Sequence, residues 1–259
     1  MPDDRWLAGD AYERFMGRWS RPLAHAFLDW LQPPRSARWL DVGCGTGALT
    51  AAICARSDPR AVVACDPSEP FVAHARQASA DPRASFVVAA AGALPSIDGG
   101  YDVAVSGLVL NFIPDPAAAL AEMRERLAPG GAAAVYVWDY AGEMEFLRAF
   151  WDEAAALDPA AATLDEGARF PLCTPANLAA VYEAAGFADV RTAPIEIATT
   201  FDGFDDYWTP FLSGTGPAPG YAASRTDDQR EQLRERLRLR LAPDGGRIDL
   251  CARAWAVRG

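Results

Sequence analysis

The stretch Trp39-Leu40-Asp41-Val42-Gly43-Cys44-Gly45-Thr46-Gly47 limits what this chain can fold into more than any other. A short apolar run ends in an acid and then in three glycines at alternate positions. The run is too short to be a helix, and Leu-Asp-Val before Gly-x-Gly-x-Gly predicts a strand turning sharply into a helix. Glycine at such a turn permits positive φ and lets a ligand come against bare backbone. The helix beyond it opens with free N–H groups and the positive end of its dipole. The pattern therefore predicts a small-molecule pocket at the carboxyl end of a strand.

The flanking sequence repeats that alternation. An aromatic-rich lead-in (Tyr12, Phe15, Trp19) ends at Ser20-Arg21-Pro22. Leu23, Ala26, Phe27, Trp30 and Leu31 then mark an amphipathic helix stopped by Pro33-Pro34. After the glycine strand and its helix, Ala61 to Cys65 reads as a second strand ending in Asp66, Ser85 to Ala89 as a third and Tyr101 to Ser106 as a fourth. Asp115-Pro116 caps a helix, Pro129-Gly130-Gly131 ends it, and Ala132 to Trp138 reads as a fifth strand. These strands are short apolar runs without polar alternation, the mark of a parallel sheet covered on both faces. Right-handed crossovers make such a sheet doubly wound. Residues 188–197 and 248–257 read as two more strands, with an aromatic stretch from Phe201 to Phe211 and a charged helix from Thr226 between them.

Composition removes several classes of function. The chain has 259 residues, 51% of them hydrophobic, enough for a full core. Its 35 acids outweigh 24 bases, and every one of those bases is Arg, for a net charge of −11. An acidic chain without a basic patch argues against nucleic acid and anionic membranes as partners. The cysteines at 44, 54, 65, 173 and 251 form no C-x-x-C pair and only His25 and His74 accompany them, which argues against a metal site or a disulfide framework. The N-terminus lacks a signal-peptide pattern and no apolar run reaches membrane-spanning length, so a cytoplasmic monomer or homodimer is the expectation.

Two ligands suit the glycine turn on spacing alone. Gly43-x-Gly45-x-x-Ala48 with Asp66 beyond it satisfies the loose dinucleotide fingerprint of a nucleotide-dependent oxidoreductase. Asp41 opposes that reading, because a pyrophosphate at this turn would meet a carboxylate at close range. A cation-bearing ligand such as S-adenosylmethionine, with its sulfonium and ammonium, would not.

Leu40 to Gly47 resembles motif I of the class I S-adenosylmethionine-dependent methyltransferases. Asp66 resembles the family's acid that binds both ribose hydroxyls. Residues 101–116 and Leu127-Ala-Pro-Gly-Gly131 are similar to its strand-four segment and to the turn before strand five. The lead-in Tyr12 to Ser20 is similar to the N-terminal cover of a bacterial subgroup. The resemblance implies an α/β, Rossmann-like, doubly wound seven-stranded sheet whose last strand runs antiparallel. It implies one domain over 1–259, with a helical cover at 1–34, a cofactor-binding core at 35–140 and a lid insertion at 198–245. The cofactor contacts it implies are Asp41, Gly43, Cys44 (through its backbone), Gly45, Gly47, Asp66, Pro67, Ser106, Gly107 and Asn111, with Arg18 and Trp19 of the cover. Arg18 would suit the methionine carboxylate through a bidentate pair.

One position departs from the family. The loop after strand three usually carries an acid that hydrogen-bonds the adenine amine, and here Ala90 stands in its place, four residues before Leu94-Pro95. Backbone groups of Ala91, Gly92 and Ala93 are the expected substitutes. Methyl transfer is an in-line displacement, so positioning supplies much of the rate and a base is needed only where the acceptor must lose a proton. Asp139 and Tyr140, directly after strand five, are the candidates to face a small-molecule acceptor. The aromatic insertion reads equally as a satellite core or as a lid over an apolar or aromatic acceptor. The alternative keeps the fold and the cofactor but gives a cyclisation, a rearrangement or binding alone.

Overall fold

The computed structural model describes residues 13–214 and 216–259; Tyr12 and the start of the lead-in lie outside them. Seven strands, β1 (Arg38–Val42), β2 (Ala61–Asp66), β3 (Ala84–Val88), β4 (Tyr101–Gly107), β5 (Leu127–Trp138), β6 (Arg191–Phe201) and β7 (Ile248–Arg258), form one sheet in the order 3-2-1-4-5-7-6. Strands β1 to β5 pair in parallel and β7 runs antiparallel to β5, as expected. The helices are α1 (Arg18–Leu31), α2 (Ala48–Arg56), α3 (Glu69–Ala78), α4 (Pro116–Glu125), α5 (Glu145–Leu157), α6 (Glu166–Arg169), α7 (Pro175–Ala184), α8 (Phe204–Trp208), α9 (Pro217–Ala223) and α10 (Asp227–Leu241). None of them is long and apolar enough to cross a membrane.

Strand order reverses beside β1, which lies between β2 and β4, and crevices for ligands open at the carboxyl ends of strands at such a point. Register then decides which side chains gather there. Asp41 pairs with Ala64 of β2 and Val105 of β4. Asp66 therefore stands two residues beyond its neighbour, and Ser106 one.

Three elements differ from the expected bounds for local reasons. Helix α1 starts at Arg18, directly after the π-helical turn Glu13–Gly17, and runs on through Pro22. Strand β5 starts at Leu127, ahead of the Pro-Gly-Gly turn expected to precede it. Tyr101 pairs with Leu127 but Val103 pairs with Ala132, so the turn bulges out within the strand pair. Strand β6 begins at Arg191, because Asp189 takes φ +53 in the turn before it. The caps read from sequence are formed: Asp115 accepts from Ala118 N at 2.9 Å, and Thr226 and Gln229 make a reciprocal capping box.

The chain divides into two compact units. One comprises Ser20–Trp138, Leu172–Ile195 and Ala254–Gly259, and holds the glycine turn. Its core packs Trp39, Leu40, Val103, Val105 and Val135 beneath the crevice, with the Phe27 ring 4.5 Å from that of Tyr136. Arg38 ties the lower ends of β1 and β4 by donating to both oxygens of Asp102. Among the described residues the other comprises Glu13–Trp19, Asp139–Pro171 and Glu196–Arg253. Its centre is aromatic: Phe150 stacks on Phe211 at 4.5 Å, Tyr207 packs on Phe201 and Phe211, and the Tyr207 hydroxyl donates to Phe146 O at 2.9 Å. The space between Phe15, Trp19, Phe146, Phe201, Tyr207 and Phe211 is too small for water. These rings pack on one another as an aromatic core of this unit.

Gly100, at φ +72, turns the chain into β4, and a Cβ there would fall 2.6 Å from Ala128 N and 2.8 Å from Leu127 C. Backbone cannot yield as a flexible side chain does. Gly100→Ala is expected to destabilise the fold by about 2–4 kcal/mol, read as a lowered urea midpoint at unchanged slope.

Candidate active site

The glycine turn closes back on the neighbouring strand. The amides of Gly43 and Cys44 both donate to Cys65 O, at 2.7 and 2.9 Å. Gly43, Gly45 and Gly47 take φ of +74, +52 and +92, which only glycine adopts without strain. Their surroundings give each a different task. A Cβ on Gly43 would collide with Val109 at 2.6 Å, one on Gly47 would press on Ala75 where α2 begins, and one on Gly45 would meet nothing within 4 Å. Gly45 thus presents open backbone to a ligand. The Cys44 side chain is buried behind the turn, and burial followed by the charge of Asp41 pushes its thiol far above the usual range, so it offers no nucleophile.

Two carboxylates flank the turn. Asp66 accepts from Gly45 N at 3.0 Å with one oxygen and from Ser68 N at 2.8 Å with the other. Burial raises its pKa, and the two amides pull it back. With one hydrogen bond on each oxygen, Asp66 keeps lone pairs for further donors. Asp41 is fully buried. Its Oδ2 accepts from the Thr50 hydroxyl at 2.6 Å, while its Oδ1 has no partner. Burial pushes its pKa up to about 7, Thr50 opposes the rise and the charge of Asp66 adds to it.

More unpartnered polar atoms lie on the neighbouring strand and its loop. Ser106 Oγ, near the end of β4, is buried without a hydrogen bond, and so are both side-chain amide atoms of Asn111 in the 3₁₀ turn Leu110–Phe112. Gly107 has no room for a side chain, since a Cβ would fall 2.5 Å from the Tyr136 hydroxyl. Leu108 follows in the left-handed region at φ +63, strain that clusters at functional sites. Buried polar atoms are normally paired, and each one left unpaired costs about 1–3 kcal/mol. A carboxylate oxygen, a hydroxyl and a carboxamide left open beside a glycine turn fit a ligand with ammonium, sulfonium, carboxylate and ribose hydroxyl groups. S-adenosylmethionine carries all four.

The loop after β3 is tied down by a residue that sequence reasoning missed. Glu122, on α4, accepts from Gly92 N at 2.6 Å and Leu94 N at 2.8 Å, and pairs with Arg126, which in turn donates to Leu94 O. Ala93 N donates to Ala90 O at 3.0 Å. The amides of Gly92 and Ala93, expected to serve the cofactor, are therefore spent within the loop, and that of Ala91 is not committed in this way. The only sequence signal for Glu122 is its i,i+4 spacing from Arg126, which reads as an ordinary helix-surface pair. Thr50, the partner of Asp41, likewise gives no signal beyond a polar residue on the buried face of α2.

The remaining candidates belong to the other unit. Arg18 donates to both oxygens of Asp206 at 2.7 and 3.1 Å and to Thr200 O, and lies over the rings of Trp19 and Phe201. Its fork already holds a carboxylate, that of Asp206, whose pKa it lowers. Trp19 packs among Phe146 and Phe201. Asp139 is buried, accepts from the amides of Gly142 and Glu143, and takes both Nε and Nη2 of Arg253 at 2.8 and 2.7 Å. Gly142 lies so close that no side chain fits there. Asp139 thus anchors a turn through four accepted hydrogen bonds, three on Oδ2 and one on Oδ1. Tyr140 is buried with its ring 5.6 Å from that of Phe170.

The sheet order, the glycine turn and the paired acids define a Rossmann-like nucleotide-cofactor site of the methyltransferase type. A family model described as a methyltransferase domain matches residues 40–135. The trans-aconitate 2-methyltransferase of Methylobacterium radiotolerans is 34% identical over 177 residues, covering 64% of this chain and 66% of that protein. The demethylmenaquinone methyltransferase of a Roseiflexus species is 33% identical over 174 residues, covering 61% of this chain and 71% of that one. Across the three trans-aconitate methyltransferases of this kind, the chain spans 48–66% of the relatives' length. Among solved structures, the phosphoethanolamine N-methyltransferase 2 of Haemonchus contortus with S-adenosyl-L-methionine shares the fold at a TM-score of 0.55 and 16% identity, over 96% of this chain and 55% of that one. The chain belongs to the class I S-adenosylmethionine-dependent methyltransferases.

A raised carboxylate pKa favours the fold at low pH and loses that contribution as pH rises. For Asp41 the contribution is complete below the ordinary value of 3.8 and gone above about 7, a span worth about 4 kcal/mol. Glu166, buried against the Trp151 indole N–H, is also raised to about 7 and falls in parallel. Urea unfolding of the ligand-free protein from pH 4 to pH 8 is therefore expected to show Asp41→Asn gaining steadily on the wild type. Equal slopes would contradict the burial argument. Asp139→Asn is expected to cost about 3 kcal/mol of stability, since it weakens the partner of a partly buried Arg253, while the affinity for S-adenosylhomocysteine holds.

Proposed function

We propose that this protein transfers a methyl group from S-adenosylmethionine to a small-molecule acceptor. The observation that carries the reading is the set of unpartnered buried polar atoms on Asp41, Ser106 and Asn111 around the glycine turn. Asp41, the turn from Gly43 to Gly47, Asp66, Ser106 and Asn111 would hold the cofactor, whose sulfonium supplies an activated methyl carbon. The protein's part is to orient that carbon toward the acceptor, to keep water away and to neutralise the cation with Asp41. A dinucleotide pyrophosphate at the same turn would face the Asp41 carboxylate, which disfavours the oxidoreductase reading.

The acceptor's chemistry decides whether a base is needed at all. Asp139 is held by Arg253 and the turn amides, His25 lies exposed on α1, and His74 sits on α3. An acceptor that arrives with a free lone pair, such as an ionised carboxylate, needs no proton removed. Relatives named for trans-aconitate support that class, and a relative named for demethylmenaquinone supports a quinol as the second. The packed aromatic core gives no separate support to an aromatic acceptor.

Calorimetric titration is expected to show S-adenosylmethionine binding and NAD not binding. Affinity for the cationic cofactor should tighten as pH rises through about 7, as Asp41 ionises, and should be flat over that range in Asp41→Asn. Mass spectrometry with small carboxylic acids, trans-aconitate first, should find methyl esters. Binding without transfer to any acid, phenol or amine in the panel would point instead to the non-methylating alternative, and NAD binding in place of S-adenosylmethionine would reject the reading outright.

A further inference from the structure

Thr50 is the third residue of α2 and is buried. Gly47, at φ +92, turns the chain directly into that helix, and the first turn of α2 comes back over the strand it has just left. A threonine hydroxyl in a helix commonly bonds back to a carbonyl of the preceding turn. That of Thr50 donates instead to Asp41 Oδ2, at 2.6 Å. Asp41 has little else around it. The titratable groups beside it are Asp66 and Cys65 on β2, Cys44 in the turn and Cys54 on α2, and no cation is among them. Burial holds the thiols of Cys65 and Cys54 up at about 12 and about 11, so the charge that counts near neutral pH is that of Asp66, and it repels. Ser106 Oγ, one residue past the β4 partner of Asp41, makes no hydrogen bond.

The kind of donor matters. A guanidinium on Asp41 would cancel its charge, as that of Arg253 does for Asp139. A hydroxyl stabilises the ionised carboxylate and leaves its whole charge for an incoming cation. Because the Thr50 hydroxyl holds Oδ2, the oxygen left without a partner is Oδ1.

Resting on the cofactor reading above, we propose that Thr50 is a positioning residue of this site, its hydroxyl fixing the Asp41 carboxylate so that Oδ1 stays open to the cationic end of the cofactor. Without that hydroxyl the carboxyl loses the donor that opposes burial and the charge of Asp66, and it keeps its proton to higher pH. A hydrogen bond to an ionised carboxylate is worth about one pH unit or more in that balance.

Two variants of the whole protein test the proposal: Thr50→Val removes the hydroxyl at nearly constant size, and Thr50→Ser keeps it. Carbon-13 NMR of the ligand-free protein follows the Asp41 carboxyl, assigned by its absence in Asp41→Asn. Its midpoint is expected at about 7 in the wild type, about one unit or more higher in Thr50→Val, and back beside the wild-type value in Thr50→Ser. Calorimetry with S-adenosylmethionine should then show Thr50→Val binding about tenfold more weakly than the wild type at pH 6 and within about twofold of it at pH 8.5. Lost packing alone would give a ratio that does not change with pH. Such a constant ratio, or an unmoved carboxyl midpoint, overturns the proposal while S-adenosylmethionine still binds the wild type and the cofactor reading stands. Failure of the wild type to bind S-adenosylmethionine overturns both. Thr50→Ala takes the place of the valine variant if the latter does not fold.

Discussion

A buried carboxylate with half of its hydrogen-bonding capacity unused is the constraint on which the rest of this site depends. Asp41 has no solvent exposure, one hydroxyl donor from Thr50 and an acidic neighbour in Asp66. Taking a carboxylate out of water is costly unless it is paired, and here the pairing is incomplete. The ligand-free site relieves part of that cost by holding the proton more tightly, which is what a pKa near 7 means. A cation brought to Oδ1 would relieve it in another way. On the proposed reading, the same carboxylate that burdens the ligand-free fold would favour a positively charged ligand, and the parallel register that buries it also brings Asp66 and Ser106 near it.

Sequence reasoning reached this arrangement because the interactions that create it are local. An acid at the end of a short apolar strand, followed by glycines at alternate positions, specifies the turn through backbone geometry alone. The parallel, doubly wound sheet was legible for a similar reason, from short apolar runs alternating with helical periodicity, while the antiparallel last strand followed from the resemblance to the methyltransferase family. What sequence could not supply were the partners across space. Glu122 clamps a loop some thirty residues before it. Arg253 reaches Asp139 from 114 positions away in sequence, and Asp206 occupies Arg18 from 188 away. None of these partners follows from spacing, since each depends on how the sheet brings remote segments together.

The bulge in β5 and the proline inside α1 show the same division at smaller scale. Pro-Gly-Gly reads as a terminator, yet the pairing of Tyr101 with Leu127 carries the strand past it. Pro22 reads as a breaker, yet the helical path from Glu13 to Leu31 continues through it. In both cases the surrounding structure decided against the local signal. The aromatic insertion differs in kind: its composition suits a lid and a core equally, and the stacking of Phe150 on Phe211 and the filled space around Tyr207 are not legible in it.

Asp139 shows why an acid at the end of a strand is weak evidence of catalysis. Position alone put it at the edge where acceptors lie in open α/β sheets. A general base needs a lone pair directed at the acceptor and freedom to take its proton. Asp139 accepts from two amides and from the guanidinium of Arg253. Asp41 is the contrary case: equally buried, but with one oxygen left open. Burial therefore does not separate a functional carboxylate from a structural one. The difference lies in the partners: each oxygen of Asp139 accepts at least one hydrogen bond, whereas Asp41 Oδ1 accepts none.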